Sequence, residues 1–244
     1  MKHLKEDWSP EQISGRLKLE GIFISHESIY RYVRADKATG GSLFKHLRHG
    51  NKKYRKRSVA QAGAKLIPNR VDIAERPAIV DTKSTIGHWE GDTIISHSSK
   101  TPLVTVVERK SKFSKIKKVK NKTKKVVGKA IVKMLKPLKD QVDSITYDNG
   151  GEFAGHPEIA KKLKTEVYFA RQYRSWERGL NEHTNGLIRQ YLPKKFDFKD
   201  VSDKKIREIE NKLNDRPRKV LNFKTPREVF VANQMVAPLD ALHL

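Results

Sequence analysis

Cysteine is absent from the 244 residues, which excludes a disulfide framework and any thiolate metal site, zinc held through sulfur included. Long apolar runs are absent as well. No stretch approaches the roughly 20 residues of a membrane span, and the opening MKHLKEDW lacks the apolar core of a signal peptide. The expectation is a soluble intracellular chain with no membrane association. Acidic residues are scarce beside basic ones, 28 Asp and Glu against 52 Lys and Arg, for a net charge of +24. Only 36% of the chain is hydrophobic and 33% is charged. That supports one sizeable core rather than burial throughout, and the length suits a domain of about 150 residues with a smaller appendage. Internal repeats are absent.

The basic excess is clustered. Lys45 to Arg57 carry seven Lys or Arg and Lys110 to Lys125 carry nine. One such run reads as a solvated face. Two runs without offsetting acids favour a phosphate backbone as partner, with a membrane surface or ribosomal RNA as the alternatives.

Residues 9–34 read as two short helices around a tight turn. Ser9 as N-cap, Pro10 at the first helical position and Gln12 three residues after the cap form a helix start. Ile13, Leu17 and Leu19 can bury one side of that helix, and Gly21 supplies the turn. Ser25 can cap the next helix, where Ile29, Tyr30 and Val33 give an apolar face. The polar side would show His26, Glu27, Arg31 and Arg34, as a major-groove reading helix does, although helical hairpins of this size also occur in proteins that bind no DNA. The basic run then supplies Lys52, Lys53, Arg55, Lys56 and Arg57 for phosphates. The expected division is a helix-turn-helix region with basic tail over 1–57, a linker over 58–75, a core over 76–235 that includes C-terminal helices, and a tail over 236–244.

From residue 76 the pattern turns to strands. HWEGDTIIS, PLVTVVER and FSKIKKVK are three β-rich runs, with turns at 97–100 and 109–112. A helix capped by Thr123 follows, with Val126, Val127, Ala130, Ile131 and Leu135 on one stripe. Then come the strand SITY, a helix entered near Pro157, the strand EVYF and a long helical stretch. Ser202 and the capping box from Thr225 to Glu228 open two further helices. The order β-β-β-α-β-α-β-α is that of an α/β ribonuclease H-like mixed sheet, here with a small all-α helix-turn-helix region before it. In such a fold the first and fourth strands lie side by side.

Three carboxylates stand out against this pattern: Asp92 inside HWEGDTII, Asp148 directly after SITY, and Glu182 near the start of the helical stretch NEHTNGLIRQYLPK. Carboxylates brought together repel unless a cation neutralises them, so a hard, oxygen-ligated divalent metal is the natural account of such a gathering. An acidic trio in a strongly basic chain points to metal-assisted chemistry on a polyanion's phosphates. Competing readings stand beside it. Glu90 shares a strand face with Asp92 by alternation. Asp-Asn-Gly-Gly is also an ordinary turn, in which Gly150 and Gly151 permit a sharp bend or close approach to a phosphate. Asn185 lies about one helical turn after Glu182 and Arg189 about two. That face is either solvated or, if Leu180, Leu187, Ile188 and Tyr191 dock on the sheet, turned toward the aspartates with Asn185 and Arg189 free to touch DNA. His88 and Trp89 read as packing residues. Tyr173 and Trp176 read as core anchors, with stacking on an unpaired base as the alternative. Asp140 and Asp143 read as loop residues.

Taken together, GHWEGDTI, TYDNGGEF and EHTNGLIRQYLPK, with 33 residues between Asp148 and Glu182, resemble the insertion-sequence-thirty family of bacterial DDE transposases. The resemblance runs from WSPEQISGRL through LNDRPRKVLNFKTPREVF. It implies Asp92, Asp148 and Glu182 as the catalytic, metal-binding triad, Arg189 as the basic residue two turns after the glutamate, and two Mg²⁺ ions with Mn²⁺ as substitute. The implied activity is strand cleavage at insertion-element ends and strand transfer into target DNA, by a homo-oligomer on double-stranded DNA in the bacterial cytoplasm, associated with the nucleoid. Members usually carry a further helix-turn-helix region before the segment with which this chain begins, so the resemblance also implies a shortened transposase. His183 stands where asparagine is commoner. A truncated, non-catalytic DNA-binding regulator and a general nuclease are the alternative functions.

Overall fold

Each strand expected from alternation forms, and their pairing brings distant segments together. The computed structural model describes residues 2–48, 67–96, 101–171 and 179–233. The chain divides into two compact units, one drawn from residues 1–61 and 214–244, the other from 62–213.

In the first unit, helices α1 (Lys2–Lys5), α2 (Pro10–Leu19) and α3 (His26–Ala38) enclose a small core of Leu4, Ile13, Ile29, Val33 and Leu43. The caps are those expected. Ser9 and Gln12 exchange hydrogen bonds as a capping box, and Ser25 Oγ accepts from the Ser28 amide at 3.0 Å. Satisfying amides that no helical carbonyl reaches contributes about 1 kcal/mol per cap. Leu19 differs from expectation. It is 55% exposed because the last turn of α2 swings past the core, and Ile22 and Phe23 in the following turn are exposed with it. Residues 214–233 belong to the same unit. Helix α9 (Pro226–Ala232) starts at the Thr225–Glu228 capping box, Glu228 pairs with Arg16 at 2.8 Å, Lys219 pairs with Glu11 at 2.6 Å, and the Phe223 ring lies against Gly15.

The second unit is built on a six-stranded sheet. Its strands are β1 (Val71–Asp72), β2 (His88–Ile95), β3 (Pro102–Glu108), β4 (Ser114–Lys118), β5 (Ser144–Tyr147) and β6 (Glu166–Phe169), in the order β1-β6-β5-β2-β3-β4. Strands β2, β3 and β4 pair antiparallel, whereas β2–β5, β5–β6 and β1–β6 pair parallel. This is the mixed sheet expected, with its first and fourth long strands adjacent. The addition is β1, which arises within the stretch read as linker and pairs through Val71 and Asp72 with Tyr168 and Phe169. The turn at 97–100 lies outside the described residues. Helices α5 (Lys124–Leu135) and α6 (His156–Leu163) pack together, and α5 lies on β3 and β4. Helices α7 (Gly179–Tyr191) and α8 (Asp203–Asn214) pack with Ile94, Leu103 and Ile116 through Leu187, Ile188, Ile206, Ile209 and Leu213. Each fully buried aliphatic side chain of this kind contributes about 1.5–3 kcal/mol. Thr123 sits at the N-cap of α5 as expected, yet its hydroxyl bonds Asn121 Oδ1 at 2.8 Å instead of a helix amide. A short helix α4 (Ile79–Thr82) precedes β2. Among the described residues no helix is long and apolar enough to cross a membrane.

Polar groups in this interior are mostly paired. Trp89 is fully buried and its indole donates to the Gln141 carbonyl at 2.8 Å. His88 is buried against Ser144 Oγ at 2.9 Å, and burial lowers its pKa. Glu90 meets Arg109 at 2.6 Å, with side chains 2% and 5% exposed, and the same guanidinium donates to Asp81 and to the Val80 carbonyl. Removing one member strands the other charge in a medium that solvates it poorly. Arg109→Met is therefore expected to cost about 3–5 kcal/mol, read as a lower urea midpoint at unchanged m value.

Candidate active site

The parallel register of β2 and β5 sets Glu90 opposite Thr146. Two residues further along each strand direction come Asp92 and Asp148, so two aspartates distant in sequence reach neighbouring positions just past the carboxyl end of the paired stretch of two parallel strands. Such strand ends are where open α/β sheets gather ligands. Gly91, between Glu90 and Asp92, is required by space. A Cβ there would fall 2.3 Å from the Tyr147 ring, which lies fully buried and stacked on Phe153. The strand alternation that made Glu90 a rival to Asp92 is real, but Glu90 is buried in its ion pair with Arg109. Asp92 is half-buried and Asp148 is half-buried.

Helix α7 is fastened to β2 by two amides one turn apart. Asn181, fully buried, donates to the Gly91 carbonyl at 3.3 Å, and Asn185 donates to Asp92 Oδ2 at 2.7 Å. Thr105 on β3 lies within 3.5 Å of Asn185 Oδ1, and the Thr93 amide donates to Asp92 Oδ1 at 2.8 Å. The Asp92 carboxylate is thus oriented at both oxygens. Glu182 lies between the two asparagines in sequence, on the first turn of α7, and is exposed. Among the described residues no three acidic or histidine side chains stand close enough to share one metal ion. The register of the sheet brings the segments of the two aspartates side by side, and Glu182 lies on the first turn of the helix fastened to β2.

Asp148 Oδ1 accepts from the Gly150 amide at 3.0 Å, the turn bond expected of Asp-Asn-Gly. The glycine requirement has a different cause from turn conformation. Gly150 has φ −70° and ψ 132°, open to any residue, but a Cβ on it would fall 2.5 Å from Glu152 Oε2 and 2.9 Å from Asp148 Oδ1. Glu152 was invisible to motif reasoning. It is 6% exposed, accepts from Thr93 Oγ1 at 2.8 Å and pairs with Lys122 at 2.7 Å. Its signal in the sequence is faint: a carboxylate four positions after Asp148, beside an apolar anchor, Phe153.

Arg189 donates to the carbonyls of Ile95 and Leu192 and lies over the Phe198 ring at 5.1 Å, so its donors fasten α7 to the end of β2. Burial lowers its pKa. The Asn185 amide is likewise engaged by Asp92. On α3, Arg31 and Arg34 are both exposed, and Arg34 pairs with Glu27 at 3.0 Å. Lys52, Lys53, Arg55, Lys56 and Arg57 lie outside the described residues, as do Tyr173 and Trp176. The other basic run, Lys110 to Lys125, contains β4 and continues beyond it. Because Leu103 pairs with both Ile94 and Lys118, that run leaves the sheet at the edge where β2 ends, and it delivers Lys122 to Glu152.

A mixed sheet carrying one aspartate within its first long strand and another directly after its fourth, with a glutamate helix packed on it, is the arrangement of the integrase core, a class of nucleotidyl transferase that uses a divalent metal. The Integrase core domain family matches residues 83–175. The catalytic core domain of BIV integrase superposes with a TM-score of 0.50 at 18% identity, over 62% of this chain and 97% of that one. The chain is 50% identical over 231 residues to the transposase for insertion sequence element IS4351 of Bacteroides fragilis, covering 94% of this chain and 71% of the relative. It is 36% identical over 243 residues to transposase InsI for insertion sequence element IS30A of Escherichia coli (strain K12), covering 94% of this chain and 62% of that one. The chain belongs to the IS30 family of DDE transposases.

The atoms crowding Gly150 are side-chain carboxylates and not backbone, so a methyl group there displaces them while the fold persists. Gly150→Ala is expected to lower DNA cleavage about 100-fold with little change in melting temperature, measured on the same preparation.

Proposed function

We infer that this chain cuts DNA at the ends of its insertion element and joins the freed 3′-hydroxyl to target DNA. In the first step water attacks a backbone phosphorus and a 3′-oxygen leaves. In the second that 3′-hydroxyl attacks a target phosphodiester, so one phosphodiester forms as another breaks and no external energy source is needed. The observation that supports this reading best is the register that sets Asp92 and Asp148 side by side just past the paired stretch of β2 and β5.

Asp92, Asp148 and Glu182 would hold two Mg²⁺ ions, or Mn²⁺ in their place, which supply Lewis-acid neutralisation of the charge on the reacting phosphate. The donor chemistry suits a hard cation, since all three side chains offer carboxylate oxygen. Asn185 and the Thr93 amide keep Asp92 turned to a single orientation. Glu182 rides on a helix that Asn181, Asn185 and Arg189 tie to β2, so its approach to the aspartates is limited to its own side-chain rotation and small shifts of α7. Arg31 and Arg34 on α3 contact element-end DNA, with the basic tail of residues 45–57 on the phosphates. Lys122 and its neighbours in the second run meet the backbone beside the site. The unit that holds the helix-turn-helix region would thus locate the DNA, and the unit of residues 62–213 would cut it. The protein acts as a homo-oligomer on double-stranded DNA in the bacterial nucleoid, because joining requires two element ends at once.

The test is a strand-transfer assay with purified protein, labelled terminal-repeat DNA and Mg²⁺. Joined product is expected from the natural chain, and its loss by at least about 1,000-fold in Asp92→Ala, Asp148→Ala and Glu182→Ala with DNA binding retained. Binding without cleavage or joining in the natural chain would instead make it a regulator that occupies element ends.

A further inference from the structure

The buried carboxylate of Glu152 has no part in the triad, yet it touches everything around it. It belongs to the short turn Gly151–Phe153 that follows Asp148. Its Oε1 accepts from the Thr93 hydroxyl at 2.8 Å and lies 2.7 Å from Lys122 Nζ. Its Oε2 and Asp148 Oδ1 crowd the same space above Gly150. Thr93 is the residue that also donates its amide to Asp92. One carboxylate therefore links the strand of Asp92, the turn of Asp148 and the basic run.

For stability alone this is a poor choice of side chain. A buried carboxylate is costly to desolvate, and one beside Asp148 adds like-charge repulsion. Glutamine could take the Thr93 bond with neither penalty. What glutamate adds is negative charge beside the Asp148 turn, paired among the described residues with Lys122, whose side chain is 39% exposed against 6% for Glu152. Groups of this kind, which touch a metal's ligands without touching the metal, set ligand orientation and affinity.

We propose that Glu152 is a positioning residue of the transposase site. It fixes the Asp148 turn to the Asp92 strand through Thr93 and raises the affinity of the aspartate pair for a divalent cation without ligating it. The inference rests on the reading of Asp92 and Asp148 as the metal-binding pair, and the experiment separates the two.

Mn²⁺ binding to the full chain is titrated by electron paramagnetic resonance, with the melting temperature of each variant measured alongside. Glu152→Ala is expected to weaken Mn²⁺ binding by about 10–100-fold. Thr93→Val, which keeps the shape and removes the hydroxyl, is expected to weaken it by a smaller factor and to add nothing in the Glu152→Ala background, because both act through one hydrogen bond. Asp148→Ala is expected to abolish binding. Unchanged Mn²⁺ affinity in Glu152→Ala, with only a lower melting temperature, would make the residue a packing strut and overturn the proposal. Loss as complete as in Asp148→Ala would overturn it too, by making Glu152 itself a ligand. Normal Mn²⁺ binding by Asp148→Ala would overturn the underlying site assignment instead.

Discussion

Everything in the catalytic unit depends on the parallel pairing of β2 with β5. It is a non-local contact that needs α5 as crossover, and its register decides which side chains meet. A slip of one residue would turn Asp148 to the other side of the sheet from Asp92. Several features pin it. Ser144 bonds His88, Trp89 reaches the Gln141 carbonyl just before β5, and the Tyr147 ring fits over the bare Cα of Gly91. The last of these leaves room for one aromatic ring at one position, so the packing that stabilises the sheet also fixes the aspartate positions.

The same strand shows how environment sorts identical chemistry. Glu90 and Asp92 share a face, two residues apart, within a chain carrying +24 charge. Glu90 is enclosed with Arg109 and holds α4 to the sheet. Asp92 is half-buried, with the Asn185 side-chain amide on one carboxylate oxygen and the Thr93 backbone amide on the other. Lys122, from the second basic run, pairs with Glu152 nearby.

Much of this was legible in the sequence because it is local. Ser9 with Gln12, Ser25, and Thr225 with Glu228 announce helix starts through bonds that span three residues, and SITY and EVYF are strands end to end. The motifs around Asp92, Asp148 and Glu182 were legible as a combination, through their resemblance to a known family. What escaped is what depends on contacts between distant segments. Nothing near Glu90 in sequence foretells Arg109, and nothing near Glu152 foretells Thr93 or Lys122. Arg189 and Asn185 looked free to meet DNA because helical spacing gives a face but not its neighbour, and the neighbour turns out to be the end of β2. Leu19 fits an apolar stripe by spacing, yet the helix ends before that stripe reaches the core. The strand β1 is two residues long, too short to carry an alternation.

The first unit is discontinuous: α2 is clasped by residues more than two hundred positions later, through Arg16 with Glu228 and Glu11 with Lys219. During synthesis the whole sheet emerges from the ribosome between those two pieces. The catalytic unit can therefore close on itself while the helices at the start of the chain still wait for their partner segment. A nascent chain interrupted before residue 214 would carry a complete sheet beside an unfinished helical unit, so the order of translation separates the maturation of the two.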